Sequence, residues 1–254
     1  MSNFEKISKI YFSPSGTTKK VVDEVAKNFN MKSENYDLLS FDEEKSFKDE
    51  LVIIGMPVFN ARIPKLAYER LSKMKAENTK AVVVLNYGNM DYGDSLLELC
   101  ELLKENNFKI VGIATTVSQN SLFNQIAENR PDESDLKRID EFSRKVIEKL
   151  ESKKDNEIFV SGYKPYPEYK IPEFSISCDE NLCTECLDCA YTCPEEAISH
   201  DSPAMTSRKD CTLCSTCINV CPEGARSFSG ENYEAEKNLA MSSYLTRQEP
   251  RFYF

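Results

Sequence analysis

Two stretches of the chain, CTECLDCAYTCP at 183–194 and CTLCSTCINVCP at 211–222, share the spacing C-x2-C-x2-C-x3-C-P. They form an internal repeat with an offset of 28 residues and hold eight of the ten cysteines. Three cysteines at x2 spacing wrap one tight loop and set three thiolates around a single cube face. The fourth, after x3 and beside proline, ligates the other cube, a known property of this spacing. The expected ligand sets are therefore crossed. Cys183, Cys186, Cys189 and Cys221 would hold one [4Fe–4S] cluster, and Cys211, Cys214, Cys217 and Cys193 the second. Pro194 and Pro222 are expected to stop the short helix that carries each fourth ligand. Structural zinc is the alternative, but zinc needs only four ligands and prefers pairs of C-x2-C separated by a longer span. Cys100 and Cys178 are left over. Two thiols cannot hold a third cubane, so both read as bystanders.

A second candidate lies near the amino end, where KISKIYF, SPSGTT and KKVVDEVAKNF read as strand, loop and helix. Val21, Val22, Val25, Ala26 and Phe29 recur at helical spacing and form an apolar stripe that would face a sheet. The loop is dense in hydroxyls and has one glycine. Its N–H groups and the positive helix end face one point, where a phosphate would bind. It is neither a P-loop nor G-x-G-x-x-G. Ser and Thr also cap helices, and these six residues alone fit either role. His200 is the only histidine, which leaves no histidine-based triad or metal site, and it reads as a solvated turn residue.

The elements that must position these residues follow from composition and periodicity. With 254 residues, 41% of them apolar and 29% charged, the chain suits one or two globular domains. A net charge of −10 argues against nucleic acid as a partner. The amino end lacks the basic and apolar regions of a secretory signal. The longest apolar run, LVIIGMPVF, is too short to span a bilayer. A cytoplasmic protein with no membrane insertion is expected, its cysteines being metal ligands or free thiols rather than disulfides. ELVIIGMPVF, AVVVLNYG and FKIVGIATTVS read as buried strands, with a weaker one at ENYDLL. IPKLAYERLSKM, GDSLLELCELLKEN and DESDLKRIDEFSRKVIEKLE read as helices. Five β/α units in residues 1–152 predict a parallel sheet of order 2-1-3-4-5, with the ligand crevice at the carboxyl ends of strands 1 and 3. Residues 153–177, with three prolines and five aromatics, read as a linker lying on a surface. Residues 178–230 carry nine acidic and three basic residues, a net charge of −6. Residues 231–254 read as a tail with a short helix.

Residues 178–230, with both cysteine motifs complete, resemble a bacterial-type two-cluster ferredoxin. Residues 1–152 resemble a flavodoxin-like domain, and the whole chain resembles the flavodoxin–ferredoxin fusion proteins of anaerobic bacteria and archaea. Flavodoxins hold the FMN phosphate in a loop of the form [ST]-x-[ST]-G-x-T, matched by Ser13, Ser15, Gly16 and Thr18 with Thr17 between. The resemblance implies that PVFNARIP and NYGNMDYGD wrap the isoalloxazine. That carries over Pro57, Val58, Phe59, Asn60 and Ala61 on one side, and Asn86, Tyr87, Gly88, Asn89 and Tyr92 on the other. The chain has no tryptophan, so an aromatic stacked on the ring would be Phe59, Tyr87 or Tyr92. Two clusters and an FMN imply electron transfer with an external low-potential redox partner, the acidic surface favouring a partner with a basic patch. A flavin reductase acting on a small oxidant and a redox-sensing or interaction module are the alternatives. No NAD fingerprint is present.

Overall fold

The computed structural model describes residues 4, 6–152 and 156–254. The first half alternates strand and helix: β1 (Lys6–Tyr11), α1 (Thr17–Lys27), β2 (Lys32–Asp37), β3 (Lys45–Lys48), β4 (Leu51–Pro57), α2 (Lys65–Ser72), β5 (Met74–Glu77), β6 (Lys80–Tyr87), α3 (Ser95–Glu105), β7 (Lys109–Val117) and α4 (Glu133–Glu151). Strands β2-β1-β4-β6-β7 are all parallel, so the predicted 2-1-3-4-5 order is the observed one. It is the flavodoxin-like order of doubly wound sheets. β4 is buried along its whole length, as an apolar run covered on both faces must be. One face packs on α2 and α3 through Leu71, Leu99 and Leu103, and the other on α1 and α4 through Val22, Val25, Phe142 and Val146. A Cβ at Gly55 in mid-β4 would collide with Val22, so glycine there lets α1 sit close on the sheet and fixes the loop before it.

β3 and β5 form a small parallel pair outside the main sheet, which the sequence reading did not anticipate. Its warrant is one side chain, Phe47, wholly buried and edge-on to Tyr36 at 5.3 Å. Burying such a ring is worth about 1.5–3 kcal/mol, enough to define a strand in the otherwise polar KSFK.

The second half contains β8 (Ser175–Cys178), α5 (Asp188–Tyr191), α6 (Thr216–Val220), β9 (Arg226–Ser229), α7 (Glu231–Ser243) and β10 (Arg251–Tyr253). β8 and β9 pair antiparallel. An isolated Ile198–Thr206 bridge stands at the corresponding place in the first repeat.

Two expectations need correction. The main sheet has six strands and is mixed, because β10 adds antiparallel to the edge of β7. The tail is thus more than a short helix: after α7 it returns to the first half of the molecule. Phe252 stacks on Phe142 at 5.1 Å, and Arg138 and Arg247 pair with Glu249 and Asp132 at 2.5 and 2.7 Å. Three residues are too few for periodicity to reveal a strand; the aromatic stack and the ion pairs supply the energy.

The expected linker begins with residues 153–155, which lie outside the described residues. From residue 156 it runs without regular structure along α3. Lys164 pairs with Glu101 at 2.7 Å, and Tyr163 N–H donates to Asp94 at 2.8 Å. Tyr169 donates to Glu98 at 3.1 Å, and Tyr166 donates to Glu101. Phe159 and Tyr163 remain exposed, so only part of the aromatic set is packed down. Ser175–Cys178, of which residues 175–177 are counted with the linker, is the strand β8, and Phe174 is already buried in the cysteine-rich core. Among the described residues no helix is long and apolar enough to cross a membrane.

Candidate functional site

The two cysteine loops fold alike. In the first, Glu185 and Leu187 adopt left-handed backbone (φ 55° and 67°); in the second, Leu213 and Ser215, 28 residues on, do the same (57° and 73°). Positive φ costs free energy for a side chain with a Cβ. Here it bends each C-x2-C-x2-C run into a cup. Glu196 and Gly224, again 28 apart, take the same conformation after each Cys-Pro. Ala197 N–H then donates to Cys193 Sγ at 3.3 Å, and Ala225 N–H to Cys221 Sγ at 3.2 Å.

Cys183, Cys186, Cys189 and Cys221 line one hollow, and Cys193, Cys211, Cys214 and Cys217 line another. These are the crossed sets expected from the spacing. The first hollow is the outer one: Cys186 is exposed, and Cys183 and Cys221 are half-buried. The second is inner, with Cys211, Cys214 and Cys217 all buried. Burial pushes the Cys214 thiol up to about 11 and Cys217 up to about 12. Bare, these thiols stay protonated at neutral pH, so thiolates here need a bound cation. Among the described residues no three histidine, cysteine or acidic side chains converge tightly enough to hold a single metal ion. The thiols instead stand around a space.

The donor set fits a thiolate-ligated cluster in a further respect. Arg226, only 3% exposed, lines the outer hollow, and its buried Nε–H has no hydrogen-bond partner. Cys178 was expected to be a bystander, but it lines the same hollow as a fifth thiol. Burial, then the adjacent Cys183, raises it to about 11. Cys100 is buried in the core against the sheet, as a bystander should be. His200 is exposed and meets Tyr191 edge-on at 4.8 Å.

The second cluster of candidates sits at the carboxyl ends of β1, β4 and β6. Gly16 (φ 77°) turns the chain into α1, and Ser13 Oγ accepts the Lys19 N–H at 2.9 Å. Ser13 thus caps the helix, while the first-turn N–H groups of Thr17 and Thr18 have no intrahelical acceptor. Ser15 and Thr17 hydroxyls lie 3.0 Å apart. Asn86, assigned by resemblance to the ring side, hydrogen-bonds this loop. Its Oδ1 accepts from Thr116 and Ser118 at 2.9 and 2.8 Å, which turns Nδ2 toward Thr17 and Thr18 Oγ1 at 3.4 and 3.3 Å. Because the Thr18 oxygen accepts from Asn86, its proton is left to donate to another acceptor, whereas the Thr17 hydroxyl also has Ser15 within reach.

At the end of β4, Pro57 is buried and the next residue, Val58, half-buried; Phe59 and Arg62 exchange both backbone hydrogen bonds at 2.8 and 3.1 Å. Asn60 and Ala61 (φ 52° and 61°) form the turn between them, and Asn60 Nδ2 donates to Lys170 O at 2.7 Å. Arg62 is held by buried Glu98 at 2.5 Å and lies over the Tyr169 ring at 4.1 Å. After β6, Tyr87 is buried edge-on beneath Tyr92 at 5.2 Å, leaving Phe59 and Tyr92 as the partly open aromatics. Burial and a hydrogen bond with Tyr253 raise Tyr92 to about 12. Gly88 lies against Asn120, whose amide donates to its carbonyl at 3.1 Å. Asn89 is engaged elsewhere. Its Nδ2 donates to Tyr244 O and Thr246 O at 2.7 and 2.9 Å, and its Oδ1 accepts Gln248 N–H at 2.8 Å. It is a clamp for the tail, a role that no local pattern signals.

The two halves meet on the inner side. Leu122, between β7 and α4, packs into the cysteine-rich core, and its carbonyl accepts from Tyr233 at 2.8 Å. Burial raises Glu195 on the inner rim, and Arg70, Glu69 and Lys65 of α2 act on it.

No known protein family matches the chain, and no curated protein matches it. Solved structures are similar over the first half. A Fusobacterium nucleatum flavodoxin bound to flavin mononucleotide is 14% identical, with TM-score 0.39, over 57% of this chain and 98% of its own. A flavodoxin from the domain Archaea is also 14% identical, with TM-score 0.38, over 57% and 99%. A flavodiiron core from Synechocystis is 12% identical, with TM-score 0.41, over 59% and 36%. At these values the strand order, not the likeness, carries the fold assignment.

Proposed function

We propose that this chain is an electron-transfer protein linking an external low-potential redox partner, two [4Fe–4S] clusters and one FMN. The observation that carries this reading is the grouping of a crossed repeat's eight thiols around two hollows, four of the expected ligands at each. When bound, the clusters exchange single electrons and the flavin one or two.

The residues supply position, charge and dryness. Thr18 offers its hydroxyl proton, and Thr17 and Thr18 their N–H groups, to the FMN phosphate, with both hydroxyls positioned by Asn86. The partly open Phe59 and Tyr92 offer faces to a planar ring. Cys211, Cys214 and Cys217, which are buried, and the half-buried Cys193 sit on the side toward α2, the helix that follows the Phe59–Arg62 turn. Cys183, Cys186, Cys189 and Cys221 sit on the open side. The net charge of −6 over residues 178–230 would steer a partner carrying a basic patch, and the steering should weaken with salt.

Rapid anaerobic mixing with a reduced low-potential donor tests the function. The flavin band should bleach after the cluster band, at a rate independent of protein concentration, because transfer is within one molecule. A flavin rate that scales with protein concentration would remove the relay and put a flavin reductase in its place.

A further inference from the structure

Arg226 stands at the junction of the two hollows. It lines the outer one, and its Nη1 donates at 2.9 Å to Thr206 Oγ1, which lines the inner one. Its Nη2 donates to Pro203 O at 2.6 Å. The side chain is 3% exposed, and Nε–H is buried without a partner. Both of its hydrogen-bond acceptors are neutral, and among the described residues no carboxylate forms an ion pair with it.

A guanidinium stays charged at any ordinary pH, and burying a charge with neither ion pair nor solvent costs several kcal/mol. An unsatisfied buried N–H adds about 1–3 kcal/mol. A fold that retained such a group for packing alone would gain by replacing it with an apolar residue. The cost is offset if negative charge occupies both hollows. Four thiolates around each cubane provide that charge, and sulfur in the outer hollow provides an acceptor for Nε–H. Among the described residues, Arg226 is the one cation lining either hollow.

We infer that Arg226 is the shared counter-cation of the two clusters, a positioning residue whose Nε–H bonds sulfur at the outer cluster and whose charge raises both reduction potentials. This rests on the reading of the two thiol sets as cluster ligands. The sign follows from charge: reduction adds one electron to an already anionic site, and a fixed cation favours the more negative state.

The test is an EPR-monitored redox titration of the full chain. Arg226→Gln should shift both one-electron equilibria at least tenfold toward the oxidised form, about 59 mV lower for each tenfold, with the larger shift at the outer cluster. Arg226→Lys keeps the charge but loses the Nε–H, so the inner potential should hold and the outer one should fall. Unchanged potentials in Arg226→Gln with both clusters intact would overturn the inference. If Arg226→Gln does not retain its clusters, wild-type protein grown with 15N-arginine decides. Pulsed EPR of the reduced outer cluster should then show coupling to an arginine nitrogen, and its absence overturns the inference. Wild-type protein that gives no reduced-cluster signal sinks the cluster reading itself, and this inference with it.

Discussion

The inner and outer cysteine cups are built from the same twelve-residue pattern, and their backbones bend at the same positions. Their surroundings differ. The inner cup buries Cys211, Cys214 and Cys217, and two of its sulfurs have polar neighbours of their own: Leu213 N–H donates to Cys211 Sγ, and Thr216 Oγ1 lies 3.4 Å from Cys214 Sγ. The outer cup exposes Cys186 and has a fifth thiol, Cys178, where the inner cup has Thr206. One pattern thus makes a dry, well-bonded site facing the α/β domain and an open site facing solvent. Cluster potentials respond to burial, hydrogen bonds to sulfur and local charge. On the proposed reading, two equal thiol sets in unequal surroundings would hold clusters of different potential.

The largest expected effect tests which cup owns which thiol. Cys193 lies in the first motif but in the inner set. Cys193→Ser should remove or convert the inner cluster and leave the outer one, as seen in the EPR spectrum of the reduced protein. Loss of the outer signal alone would uncross the ligand sets.

Next comes the buried ion pair that anchors the linker. Arg62→Ala strands Glu98, 1% exposed, without its cation and frees Tyr166 and Tyr169 from their stacked partner. Breaking a buried pair costs about 3–5 kcal/mol, which a denaturant titration would register. A change below about 1 kcal/mol would mean that Glu98 is rescued by protonation or water. The linker along α3 should also gain hydrogen exchange, while the outer cup does not.

A smaller effect belongs to the phosphate loop. Asn86→Ala removes the donor to Thr17 and Thr18 and should weaken FMN by about 10-fold, one charge-assisted hydrogen bond's worth. Thr18→Ala should do the same, with iron content unchanged in both. Riboflavin, which lacks the phosphate, should bind equally to wild type and variants in a fluorescence titration. If riboflavin loses as much as FMN, the loop is only a helix cap.

The smallest expected effect separates the cups by their unmatched residue. Cys178→Ser exchanges a thiol for a hydroxyl beside Cys183 and should displace the outer potential slightly without moving the inner one. A displaced inner potential would place Cys178 in the wrong cup.

Much of this was legible in the sequence because the signals are local. C-x2-C-x2-C-x3-C-P encodes both the cup and its crossing, and the apolar runs at 51–57 and 80–87 encode buried parallel strands. What was not legible depends on partners far along the chain. Asn86 is in the loop set expected at the flavin, yet its task is set by Thr116 and Ser118, about thirty residues on. Asn89 is spent on backbone more than 150 residues away. β10 and the Phe47 strand are too short to show a period and exist through tertiary burial. Arg226, one of three basic residues in an acidic segment, gives no sign of its burial in sequence. Cys178 precedes the first motif by five residues and falls outside any ligand spacing.

The most direct test of the central claim is a count of metal, acid-labile sulfide and flavin on one anaerobic preparation of the full chain. Two cubanes and a flavin predict about eight iron, about eight sulfide and about one FMN per chain. Zinc, or iron without sulfide, at the eight thiols would contradict the cluster assignment. Full iron and sulfide with no FMN retained or rebound would contradict the link between the two halves.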